Sequence, residues 1–314
     1  APDNNTDYHT YSDDNGEDSQ KTFGGSVRIN LNSSNKYKFT SISAYTKTNL
    51  IHSYDGDWAN DQYWNSNHGF DPQVEGWSYE FFDKNDKERK STSQDFRLSF
   101  HDLIFGVFYK NLIESDEANG YLFGGLSNSA KSQYDFGVYS GYFKYDWKIN
   151  PKIKLTTNYR LEKNTIDYSG QSEGMDYYYN TIDLPNVKHS NSFFMNGYRA
   201  SIIIKKTQSL NYFGSIAKGY KSGGVNQQPY INNKNRNYGP EELRTLEFCI
   251  KYFSDKIYTN INLFHGLRAN QQISISSQQI EGDPNSFIFF TSNADSGTIG
   301  GIELESKIKF NQNT

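Results

Sequence analysis

From Ile153 to Glu162 apolar and polar residues alternate without a break. Ile153, Leu155, Thr157, Tyr159 and Leu161 stand against Lys154, Thr156, Asn158, Arg160 and Glu162. A period of two puts the two sets on opposite faces of an extended strand. With one face apolar and the other charged over ten residues or more, such a strand suits a wall between two solvents. The pattern recurs along the chain. Phe23, Val27, Ile29 and Leu31 oppose Ser26, Arg28 and Asn30. Phe96, Leu98 and Phe100 oppose Asp95, Arg97 and Ser99. Leu246, Phe248, Ile250 and Tyr252 oppose Glu247, Cys249 and Lys251, and Ile302, Leu304, Ile308 and Phe310 oppose Glu303, Glu305, Lys307 and Lys309.

The connections between these runs also alternate. Short turns fall at Asn32–Asn35, His101-Asp102, Asn150–Lys152, Thr207–Ser209 and Ser254-Asp255. Long polar stretches fall at 52–89, 114–133, 169–191 and 223–239, and residues 1–22 read as a further surface loop. A soluble sandwich mixes its loop lengths and uses shorter strands. The expectation is an all-β, antiparallel transmembrane β-barrel segment of about twelve strands, with short periplasmic turns and long extracellular loops. Within the organising stretch 210–252, Gly219, Gly223 and Gly224 suggest positive φ at the exit from a strand, and Pro240 suits the start of the next.

Composition is compatible with this. Only 35% of residues are hydrophobic and the mean hydropathy is −0.83, so no apolar run could form a membrane helix. Alternating strands escape that test because half their residues are polar. The 16% of aromatic residues suits girdles at two interfaces, and Trp147, beside a short turn, reads as one of them. A net charge of −4 gives no basic footprint for nucleic acid. Cys249 is the single cysteine, which excludes an internal disulfide and a thiolate metal cluster, and it reads as a small residue on the charged face. The six histidines are scattered without ligand spacing.

No nucleophile elbow, metalloprotease helix or phosphate-cradling loop occurs. Glu303 and Glu305 share a strand face with Lys307 and Lys309, which reads as a salt-bridged wall rather than a catalytic pair. The acidic turn from Tyr54 to Trp58 lacks the order of a calcium loop and reads as a turn that exposes charge. No enzyme activity, metal or cofactor is expected.

A family resemblance is carried by motifs in order. A-K-G-Y-K-S-G-G-V-N (217–226), Y-G-P-E-E-L (238–243) and L-E-F-C-I-K (246–251) resemble consecutive barrel motifs of TonB-dependent outer-membrane receptors. N-L-F (262–264), Q-Q-I (271–273), S-N-A-D-S-G (292–297) and G-G-I-E-L-E (300–305) follow in the family's order. Upstream, F-T-S-I-S-A-Y (39–45), Y-D-G-D-W (54–58) and S-Q-D-F-R-L-S (93–99) look similar. The resemblance covers the chain from about Thr22 onward and implies that 1–314 is a partial receptor barrel domain, with the plug and the closing strands outside it. It implies a bacterial outer-membrane location, with lipid, the receptor's own plug and TonB as partners. Its cargo would be a scarce, bulky nutrient, first of all a ferric siderophore. A passive porin-like channel and a soluble carbohydrate-binding β protein are the alternatives.

Two residue sets are candidates for contact with cargo. Trp58, Tyr63, Trp64 and Trp77 crowd one long connection and Tyr177, Tyr178 and Tyr179 another; aromatics offer rigid area with a polar tip, and their alternative role is to fold the loop onto itself. Arg97, Arg160, Arg199, Glu247, Glu303 and Glu305 are candidates for the lumen-facing side of the wall. The connections 52–89, 169–191 and 223–239 are expected to face outward and shape a ligand mouth.

Overall fold

The computed structural model describes residues 11–33, 36–57, 59–76, 78, 81–122, 127–175, 180–228, 231–278 and 287–310. The chain opens with the hairpin β1 (Glu17–Ser33) and β2 (Tyr37–Asp55), followed by two short helices, α1 (Asp61–His68) and α2 (Pro72–Glu75). Then come β3 (Phe82–Phe100), β4 (Leu103–Leu122), β5 (Ser127–Asn150), β6 (Ile153–Met175), the short β7 (Thr181–Asp183), β8 (Val187–Lys205) and β9 (Leu210–Lys221). A small ladder of β10 (Gly224–Val225) and β11 (Asn237–Tyr238) precedes β12 (Glu241–Phe253), β13 (Ile257–Gln278) and β14 (Phe287–Ile308).

The long strands form one 12-stranded antiparallel sheet in the order β1-β2-β3-β4-β5-β6-β8-β9-β12-β13-β14, with β7 added beside β6. Each long strand pairs with the next long strand in sequence, so among the described residues the sheet has no crossover. This is the meander of an outer-membrane barrel wall. Register fixes the faces. One cross-strand row runs Asn30, Thr40, Arg97, Gly106, Tyr142, Arg160, Gly197. The row beside it runs Leu31, Phe39, Leu98, Phe105, Phe143, Tyr159, Tyr198. The first belongs to an inner, polar face and the second to an outer, apolar one.

Among the described residues nothing covers the outer face. Phe23, Ile302, Leu304 and Phe194 are each 69–74% exposed, and Phe105, Leu161, Leu246 and Ile216 are exposed as well. Trp147 lies on this face near the turn at 151–152, its indole N–H donating to Thr157 Oγ1 at 3.1 Å. An apolar belt of this extent is stable only against lipid. In β2 an apolar residue also falls on the inner face, where Ile42 sits opposite Asp95.

The strands are longer than their apolar patterns. The stretch 114–133, expected as a loop, is mostly ladder: β4 runs to Leu122 and β5 starts at Ser127. Likewise β6 continues to Met175 and β8 begins at Val187, while β2 and β3 narrow the expected 52–89 connection to 56–81 and place two helices within it. Residues 17–22, expected as loop, begin β1. The reason is physical. Beyond the lipid both faces of a strand are wet, so alternation lapses while the backbone ladder persists.

The largest departure is at 222–240. Its described residues, 222–228 and 231–240, cross the inner face as a strap, whereas the connection 223–239 was expected to face outward. Val225 packs into a buried cluster with Ile166 and Tyr168, flanked by Tyr134, Phe136, Val187 and Phe193. Gly223 and Gly224 are required there for closeness rather than for positive φ: a Cβ on Gly223 would stand 2.6 Å from Phe193, and one on Gly224 2.1 Å from the Tyr238 hydroxyl.

Candidate functional site

Side-chain hydrogen bonds hold the strap. Arg236, buried at 4% exposure, donates to the carbonyls of Asn226, Gln228 and Ile231. Asn226 mimics a strand residue: its amide donates to Thr291 O and its oxygen accepts from Thr291 N, both at 2.8 Å. Gln228 donates to Phe289 O at 2.7 Å, and Gln272 donates to Ser222 O and Gly239 O. The segment therefore ties β6 on one side to the β13–β14 ribbon on the other.

Two basins lie on the inner face. The one toward the long connections has a volume of about 370 Å³ and is lined by His52, Tyr54, Asp83, Asp116, Tyr168 and the strap residues Gln227 and Gln228, among others. Within it Tyr54 Oη lies 3.4 Å from Asp83, Lys87 pairs with Asp116 at 3.1 Å, and His52 meets Asp18 at 2.6 Å. Asp83 stands above the membrane-spanning part of β3, and burial raises its carboxyl above the usual range.

The basin toward the short turns is larger, about 940 Å³, and cationic. Arg28, Lys38, Arg97, Lys144, Arg160, Arg199 and Lys218 line it, with Asp95 the single carboxylate among its lining residues. Its centre is built around two glycines. A Cβ on Gly106 would stand 2.3 Å from Tyr142 Cζ, so glycine leaves room for that ring to lie across β4. The Tyr142 hydroxyl then donates to Asp95 Oδ1 at 2.7 Å and accepts from Arg97 Nε at 2.9 Å, while Arg97 also pairs with Asp95. Gly197 does the same for Tyr220, whose ring lies 3.0 Å from the missing Cβ. Between the tyrosines, Arg160 pairs with Glu162 at 2.6 Å and stacks over Phe108 and Tyr142 at 5.5 and 5.9 Å. Asp95 and Glu162 are buried and engaged by these donors, and such charge-assisted bonds tie the floor of the basin together.

Arg97, Arg160 and Arg199, read from the sequence as lumen-side residues, meet in this basin. Glu247, Glu303 and Glu305 share the inner face but not the basin. Glu247 accepts from Ser215 at 3.1 Å, Glu303 from Asn262 at 3.3 Å, and Glu305 pairs with Lys307 at 3.1 Å. Cys249 lies on the same face, its thiol 2.8 Å from Asn260 Oδ1. Tyr142 and Tyr220 were not singled out in the sequence, where they read as two of many strand tyrosines. The signal is the glycine one strand over, which appears only with register.

Of the loop aromatics, Tyr63 and Trp64 lie on α1, half-buried, and pack within their own connection. Tyr63 packs at a tilt against Tyr11 at 4.7 Å, and Trp64 against His68 at 5.1 Å. The helix forms because Asn60 caps it, accepting from Tyr63 N at 2.9 Å, and ends at Gly69 with φ 70°. Trp58, Trp77, Tyr177, Tyr178 and Tyr179 fall outside the described residues. The acidic turn at 54–58 does not expose its charge as expected. Asp55 is buried, accepting from Ser12 and Asp57 N, and Asp57 accepts from Ala59 N and Phe81 N. Asp13, outside the strands, has its carboxyl pushed up by burial and by Asp55, Asp57 and Asp61.

The sequence model of TonB dependent receptor-like β-barrels matches residues 1–314. Among solved structures the chain is similar to the ferric yersiniabactin uptake receptor FyuA from Yersinia pestis, with 14% identity and a TM-score of 0.67 over 93% of this chain and 40% of that one. It is also similar to the copper transporter OprC (12%, TM-score 0.66, 95% and 45%) and to the siderophore receptor PiuA from Acinetobacter baumannii (15%, TM-score 0.63, 97% and 46%). The chain thus spans less than half the length of each. No curated protein matches.

Proposed function

Because the chain belongs to the TonB-dependent receptor β-barrel family, we propose that it forms part of the wall of a bacterial outer-membrane receptor that imports a scarce, bulky nutrient. The observation that carries this reading is the two-faced wall. A bare apolar belt faces lipid on one side, and on the other a charged face holds two basins with a strap between them. An importer needs both a barrel wide enough for bulky cargo and an interior that obstructs free diffusion.

In this reading the long connections are extracellular, the short turns periplasmic, and the basin toward the long connections receives cargo first. The intact receptor contains a plug inside the barrel, and TonB supplies energy from the periplasmic side. A ferric siderophore is the proposed cargo, in keeping with the cargo named for FyuA and PiuA, although OprC shows that the same fold serves copper. Deleting the gene should abolish growth on one or more ferric chelates from a panel that also includes haem, cobalamin and glycans. Loss of TonB should reproduce the defect. Unchanged growth on every member of the panel would refute the import function.

A further inference from the structure

We infer that the lipid-facing side of the wall carries a groove for a phosphorylated lipid of the extracellular leaflet, with Lys163 as the phosphate ligand. The inference rests on the receptor reading above and names a partner other than cargo. Register builds the groove from two neighbouring rows. The upper row runs Gln94, Tyr109, Tyr139, Lys163, Phe194, and the lower one Phe96, Val107, Gly141, Leu161. Tyr109 and Tyr139 meet at 5.2 Å, and Phe194 is 70% exposed. Gly141 opens a gap between Val107 and Leu161, because a Cβ there would meet nothing within 4 Å. The hollow measures about 470 Å³, within the range of pockets that hold a small ligand, and its walls are mainly apolar.

Height and charge decide which part of a lipid meets Lys163. It stands ten residues above Ile153, the short-turn end of β6. Ten residues at about 3.3 Å each, on a strand tilted by about 40°, rise about 25 Å, the height of the whole apolar band. Lys163 is therefore at the upper edge of the hydrocarbon, level with headgroups. Lys47 and Lys90 stand at the same level, ten residues above Tyr37 and Phe100. Those two lie directly opposite each other and share Glu88, 2.5 Å from each. Lys163 meets no carboxylate among the described residues, and its ammonium lies 5.4 Å from the centre of the Phe194 ring. On this face of β5 and β6 the first carboxylates are Asp135 and Asp167, each four residues, or about 13 Å, above the Lys163 row. Gln94 is occupied by Ser41 and Ser43. An unpaired cation above an apolar hollow is matched by a phosphate above an acyl chain. A lipid lacking the phosphate leaves the charge unmet, and free phosphate leaves the hollow empty.

The test uses the intact receptor, extracted from outer membranes, stripped of lipid by detergent exchange and titrated with defined lipids under native mass spectrometry. The probes are diphosphorylated lipid A, the same lipid A with its phosphates removed, and phosphatidylglycerol. The receptor should bind the diphosphorylated form more tightly than the dephosphorylated one. Lys163→Gln should weaken the first about fivefold, the equivalent of about 1 kcal/mol, and leave the second unchanged. Lys163→Arg should keep the tighter binding. Gly141→Leu, which fills the hollow, should weaken both forms; where it blocks assembly, the two Lys163 variants decide alone. Equal binding of the two lipid A forms, or no change with Lys163→Gln, would reduce Lys163 to a side chain reaching for water and overturn the inference while the import reading stands. Binding of phosphatidylglycerol alone would place Lys163 in the periplasmic leaflet and overturn the orientation of the wall as well.

Discussion

Gly106 decides where Tyr142 lies, and Tyr142 decides how Asp95 and Arg97 are held. Gly106→Ala places a methyl group 2.3 Å from the ring, which must swing away and abandon both hydrogen bonds. The expected cost is about 1–3 kcal/mol, read from the urea midpoint of the receptor folded in lipid vesicles. Gly141→Ala, with nothing within 4 Å of the added carbon, is the matched control and should leave the midpoint unchanged. Asp13 makes a second test at this scale. Its raised carboxyl means that ionisation disfavours the folded connection. That penalty is fully present above the raised value and absent below the ordinary one, 3.8. Asp13→Asn should therefore slow amide exchange across 56–81 at pH 7 and make no difference near pH 3. A benefit that grew toward low pH would contradict this account.

At the scale of elements, the strap and the strands answer to different forces. The strap is fastened by side chains standing in for backbone, so Asn226→Ala removes donors and an acceptor at once. We expect a loss of about 1–3 kcal/mol, seen as faster hydrogen exchange in 222–240 while β5 and β6 keep their protection. Equal acceleration of strap and wall would mean that Asn226 supports the sheet rather than the segment. The strands respond to lipid. Val107 lies on the outer face and is 44% exposed, and Val107→Arg should cost up to about 2–4 kcal/mol, the penalty for arginine at the membrane midplane. Thr156→Arg, on the wet inner face beside the carboxylate of Asp146, should be tolerated. If both variants fold equally well in lipid vesicles, the two faces have been assigned the wrong way round.

For the whole molecule, the described residues form a continuous meander in which no pairing joins β1 to β14. Each of those strands therefore presents a free ladder edge, and the polar inner face has no opposing wall. Both are costly in a bilayer. Residues 1–314 expressed alone should aggregate in detergent instead of giving a monodisperse, protease-resistant species. Recovery of such a species by size exclusion would show that the sheet closes on itself.

The sequence by itself determined the wall. Period-two runs such as 153–162 and 246–252 specify which side of each strand meets lipid, because burying a charge in hydrocarbon is far costlier than any local preference. Alternating turn lengths specified the meander. The motifs from Ala217 to Glu305 located the family, and alternation alone put Arg97 and Arg160 on the polar side of their strands. Strand ends were not legible: above the lipid no penalty enforces alternation, so 114–122 and 127–133 read as loop although they pair. Nor was the site legible as an arrangement. The row joining Arg97 to Arg160 through Gly106 and Tyr142 links residues far apart in sequence whose meeting depends on register across several hairpins. The strap was decided by tertiary structure alone. A polar connection has no local reason to fold inward, and what draws 222–240 onto the wall is an apolar cluster on β5, β6 and β8 together with ribbon backbone that only the assembled sheet provides.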